Sequence, residues 1–185
     1  MKKITRDLFY DSNTTIPLRS KISLKFFFSG MFLLFGLAVF AQETKNTAFT
    51  DTDTFLSAMR TKDSKKQEFS HLENLLNEIN PSIYFYSGQV KSYGENATTL
   101  FTDINSVSSI AAADFQKEQI EIATIKISTA SDVSKPIDLS AFANFPKLKY
   151  IHIISTVRNN PQNIIRSVKN ALPVYHVFYT IDLGS

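Results

Sequence analysis

The chain has 185 residues and no cysteine, which excludes disulfides, thiolate metal sites, cysteine nucleophiles and a lipid-modified cysteine anchor. Its net charge of +3 is unevenly placed. Six basic and two acidic residues precede position 42, whereas fourteen basic and fifteen acidic residues follow it, so no basic block remains there to attract nucleic acid.

The first 41 residues read as a cleavable secretory signal. Lys2, Lys3, Arg6, Arg19, Lys21 and Lys25 supply a basic region, and residues 26–41 then run without a charge. Val39 and Ala41 have the small-residue spacing that a signal peptidase recognises, placing the cut between Ala41 and Gln42. As a helix the uncharged run would reach about 24 Å, short of a hydrocarbon core of about 30 Å, so retention as an anchor is the lesser alternative. The expected location is secreted or periplasmic. About 144 residues remain, enough for one domain held together by its own core.

Residues 42–54 are polar and rich in Thr and Asp and read as a loose leader. Residues 55–112 are expected to form a helical N-terminal portion. Within it, Phe69, Leu72, Leu75, Leu76 and Ile79 recur at helical spacing over 68–79, where Asn80-Pro81 ends the run. Ile83-Tyr84-Phe85-Tyr86 reads as a short strand closed by Ser87-Gly88. Leu100, Phe101, Ile104, Val107 and Ile110 suit a helix across 95–115, although serines and threonines weaken it.

Residues 113–185 repeat. Leu139, Phe142, Phe145, Leu148, Ile151 and Ile153 all map, twenty-six positions on, to apolar residues: Ile165, Val168, Ala171, Val174, Val177 and Tyr179. Three strand cores result, at 122–127, 148–153 and 174–179, each with an apolar residue followed by apolar residues three and five places later. This spacing resembles the strand core of leucine-rich repeats. The resemblance covers about half of the chain after position 41. It implies an α/β fold: a short solenoid of strand–helix units with parallel strands and an N-terminal helical cap. A small single α/β sheet domain is the alternative. The family's bend positions hold Ala130, Thr156 and Asp182 rather than Asn or Cys, and of these only the latter two can hydrogen-bond.

In either architecture alternate residues leave the core and share one sheet face: Thr124, Lys126 and Ser128, then Tyr150, His152 and Ile154, then His176, Phe178 and Thr180. Tyr150, His152, His176, Phe178 and Lys126 are the expected binding residues, because aromatic side chains concentrate where proteins meet partners. The competing reading buries this cluster beneath the N-terminal helical portion. His152 and His176 could share a metal or a proton relay, but no third histidine and no carboxylate accompany them, so neither metal nor cofactor is expected. Gly-rich phosphate loops, G-x-S-x-G and H-E-x-x-H are absent.

The run Arg60, Lys62, Lys65, Lys66 reads as solvated surface. The triplet Asn96-Ala97-Thr98 carries meaning only in a glycosylating host. The expected function is therefore that of an exported, non-catalytic interaction module, with a protein or cell-surface component as partner. The alternatives are a small enzyme using the two histidines, or a structural envelope protein.

Overall fold

The computed structural model describes residues 49–184. The secretory-signal reading, at 1–41, lies outside them. The described chain is a mixed α/β domain built on a seven-stranded, mostly parallel sheet. In chain order the elements are β1 (Thr50–Asp51), α1 (Thr52–Arg60), α2 (Lys66–Asn77), β2 (Ser82–Tyr86), β3 (Gln89–Tyr93), β4 (Thr99–Asp103) and β5 (Ile122–Ile127). There follow β6 (Ile137–Asp138), β7 (Tyr150–Ser155), α3 (Pro161–Ser167), β8 (Val168–Lys169) and β9 (His176–Ile181).

Across the sheet the order is β1-β9-β7-β5-β4-β2-β3, with only β3 antiparallel to its neighbour. From β2 to β9 the parallel strands are laid down in sequence, each beside the last. The returns between them contain 3-10 turns at Val107–Ala112 and Leu139–Phe142 and the short helix α3. All three pack against one sheet face. There Ile83, Phe85, Leu100, Ala123, Ile125, Ile127, Ile151, Ile153 and Val177 meet Val107, Ile110, Leu139, Phe142 and Ile164 in the main core. On the far side of that core two returns join as the small parallel pair β6–β8.

The opposite sheet face carries a second, smaller core. Met59 from α1, with Phe69, Leu72 and Leu75 from α2, packs on Ile122, Tyr150 and Phe178. Asp51 caps α1 by accepting from the Thr54 backbone N–H at 2.9 Å. The described residues start at the β9 edge with β1 and reach β2 at the other side only after α1 and α2. These helices thus cross the sheet face on the way.

Several expectations need correction. The segment read as a loose leader ends in β1 and the start of α1, because Asp51 provides a helix cap and Thr50–Asp51 pairs with Phe178–Tyr179. The portion 55–112 is not helical throughout: it contains β2, β3 and β4. Residues 99–103 form a strand where a helix was expected, and Leu100 and Thr102 lie opposite Ala123 and Ile125 on the core face. Thr102 is tolerated there because its hydroxyl donates to the Phe85 carbonyl at 2.8 Å.

The second and third strands begin two residues later than the repeat spacing suggests. Tyr150 lies opposite His176, which preserves the twenty-six-residue offset, but Ile122 lies opposite Tyr150, an offset of twenty-eight. Ile120 therefore fills the position that the repeat assigned to Ile122, and Ile122 joins the core under the helices. Val174, expected to point inward, is 55% exposed. Tyr175 takes its place, buried, with its hydroxyl donating to the Phe142 carbonyl at 3.0 Å.

The second core makes a stability prediction. Leu72 is fully buried between α2 and the sheet, whereas Ile79, two residues beyond α2, is fully exposed. Leu72→Ala should cost about 2–5 kcal/mol in urea unfolding, and Ile79→Ser less than about 0.5 kcal/mol. Equal losses would contradict this assignment of the helix face.

Candidate functional site

The strand parity read from the sequence places Tyr150, His152, His176 and Phe178 on one face, as expected, and that face is the one α1 and α2 cover. Tyr150 and Phe178 are 1% and 0% exposed, too little to meet a partner. Phe55 of α1 stacks on Phe178 with ring centroids 4.9 Å apart. The Tyr150 hydroxyl donates to Glu68 of α2 at 3.2 Å, and the other Glu68 oxygen accepts from Lys65 at 3.2 Å. Burial, then the Glu68 charge, raises the Tyr150 phenol above its ordinary value, so the hydroxyl stays protonated as a donor. The aromatic cluster thus fastens the helices to the sheet instead of lying open. Lys126 alone of the expected binding residues is exposed, on β5 opposite Asp103 of β4.

His152 and His176 sit on neighbouring strands two register positions apart, and each ring rests on an aromatic side chain. His152 stacks on Phe178 at 5.0 Å and His176 on Tyr150 at 5.8 Å. The His152 Nε2 lies 2.8 Å from the Thr180 hydroxyl, which lies 2.8 Å from the Thr52 hydroxyl, which donates to the Tyr179 carbonyl at 3.0 Å. The carbonyl can only accept, so one direction satisfies the chain: Nε2–H donates to Thr180, Thr180 to Thr52, and Thr52 to the backbone. This ties the start of α1 to β9. Among the described residues no group of three or more His, Asp and Glu side chains could hold a metal ion.

The helices leave the other end of the same face open. Phe101 on β4, Tyr84 and Tyr86 on β2, and Lys91 and Tyr93 on β3 stand there, none of them part of the core under α1 and α2. Tyr84 stacks on Phe101 at 4.8 Å, and Tyr93 meets Tyr84 nearly at right angles at 5.4 Å. Tyr93 is 59% exposed. With Ile79 and Asn80 from the segment after α2, these tyrosines and Lys91 line a groove of about 640 Å³. Burial, then the nearby Asp103 charge, raises the Tyr86 phenol, so it too remains a neutral donor.

The sequence showed part of this site. The alternation of Tyr84 and Tyr86 was visible in the strand at 83–86. Tyr93 lay on a strand that was not assigned, and Phe101 in a segment read as helix. A signal for β3 was nevertheless present: Ser87-Gly88 forms a two-residue turn with both residues at positive φ, a geometry that returns a hairpin strand. No protein-family model matches the chain, and neither a curated protein nor a solved structure matches it.

The buried histidine has a pH signature. Desolvation lowers the His152 imidazole from its ordinary value to about 4. The unfolded chain therefore takes up this proton at higher pH than the folded chain does. Stability falls as pH drops from about 6.5 to about 4, by about 3 kcal/mol in all, and this contribution is flat below that range. His152→Gln keeps a donor to Thr180 but cannot gain a proton. Urea titrations across that window should show a loss smaller by about that amount in the variant, and superimposable pH profiles would refute the assignment.

Proposed function

We propose that the chain is an exported, non-catalytic interaction module, built as a short leucine-rich-repeat-like stack, that binds a partner through the open end of its strand face. The stack reading is supported by strands laid down in sequence with their returns on one side. Backbone bonds also continue past the strand ends: the Thr156 N–H donates to the Ile127 carbonyl at 2.9 Å, and the Asp182 N–H to the Ser155 carbonyl at 2.9 Å. The Thr156 hydroxyl reaches the same Ile127 carbonyl at 3.4 Å, a weak counterpart of the side-chain bond that such repeats place at the bend. The antiparallel strand β3 serves as the end cap of the stack.

The observation that carries the binding reading is the groove at β2–β4. Its rings are already packed against one another, so a partner would not have to immobilise them. An isolated exposed apolar residue is ordinary, but fully exposed Ile79 and 59%-exposed Tyr93 line the same groove. Binding has therefore moved along the face from the positions expected at Tyr150, His152, His176 and Phe178 to Tyr84, Tyr86 and Tyr93. Export rests on the basic region and uncharged run before Gln42.

Two measurements test this. The N-terminus of the protein recovered outside the cytoplasm should be Gln42, and recovery only of chains that retain residues 26–41 would refute cleavage. The mature protein, immobilised, should capture material from the culture medium of its source, and a folded Ile79→Ser, Tyr93→Ala double variant should capture at least about tenfold less. Equal capture by the two proteins would refute binding at this face.

A further inference from the structure

Resting on that reading, we infer that the groove between β3 and the segment after α2 takes an extended polypeptide segment carrying an apolar side chain next to a carboxylate. Charge complementarity selects the carboxylate. Lys91 is the charged residue among the groove's lining and takes part in no ion pair among the described residues, while Asp103, whose charge reaches Tyr86, stands opposite Lys126 of β5. The chain after position 41, by contrast, carries more acidic than basic residues, so the groove opposes the sign of the rest of the domain.

At the Asn80–Ser82 wall the polar side chains are already bonded, which favours a peptide over a saccharide there, while Tyr84, Tyr86, Tyr93 and Gln89 carry no side-chain hydrogen bond among the described residues and can serve a peptide backbone. A sugar chain presents hydroxyls at every ring and needs free polar partners. The Asn80 amide already donates to the Asn74 and Glu78 carbonyls, at 2.9 and 3.0 Å. The Ser82 hydroxyl likewise donates to the Asn80 carbonyl at 2.6 Å. Ile79 offers only hydrocarbon, which a Leu, Ile or Phe side chain matches and a hydroxylated ring does not. The volume lies within the 300–1,000 Å³ or so that ligand clefts span, suited to a few side chains in an extended segment.

The experiment selects displayed random 12-residue peptides on the immobilised mature protein, in parallel with a Lys91→Glu, Tyr93→Ala variant of unchanged urea stability. The enriched sequences should pair an apolar residue with Asp or Glu. Synthesised and labelled, they should bind the single variants Lys91→Glu at least about fivefold and Tyr93→Ala about tenfold more weakly than the parent by fluorescence anisotropy. Polygalacturonate supplies the saccharide arm, and sedimentation of the protein alone tests occupation by a second copy. Enrichment of basic peptides, enrichment that is equal on the variant, no enrichment, tighter binding of polygalacturonate at the same residues, or a dimer broken by the same substitutions would each overturn the inference. In the saccharide case the binding module of the preceding section would still stand. It falls only if the double variant there captures as much as the parent.

Discussion

The organisation of this domain follows from a mismatch between the width of its sheet and the width of what covers it. Seven strands at about 4.8 Å spacing span about 29 Å, and a helix with its side chains is about 10 Å across, the width of two strands. One face is covered from β2 to β9 because the crossovers between β4, β5, β7 and β9 return on that side, with Val90 and Ser92 of the edge strand β3 left exposed. The other face receives only α1 and α2, enough for β1, β9, β7 and β5. On β4 and β2 the strand starts at Thr99 and Ser82 are buried on this face, and the remainder of these strands, with β3, is left to meet whatever lies outside.

The two ends of this face consequently use similar side chains for opposite purposes. At the β7–β9 end the aromatics are closed off by Phe55, Met59 and Leu72, and their polar atoms are bonded inward: Tyr150 to Glu68, and His152 through Thr180 to Thr52. At the β2–β4 end the rings pack on each other, but a side of the group remains open. Which aromatic residues become core and which become surface depends on the path of the helices, not on the character of the strands.

That dependence explains what the sequence could disclose. The parity of β7 and β9 was legible because Ile151, Ile153 and Val177 alternate with His152, His176 and Phe178, and a period of two admits only one division of faces. The slip of two residues at β5 left that division intact, since an even slip moves no side chain to the other face. Strand β4 was not legible: Leu100, Phe101 and Ile104 mimic helical spacing, and the buried Thr102 depends on a carbonyl of the neighbouring strand that no local pattern reveals. The covering of Tyr150 and Phe178 was equally out of reach, because it follows from β1 joining the β9 edge, a pairing of two residues separated from their partners by more than a hundred positions.

Chemical nitration of the folded protein, read by mass spectrometry, tests this division of the face most directly, because tyrosines lie at both ends of it. Tyr93, 59% exposed, should react first, while Tyr150 and Tyr175, 1% and 2% exposed, should stay unmodified until the chain unfolds. Early modification of Tyr150 together with protection of Tyr93 would mean that the helices cover the other end of the sheet.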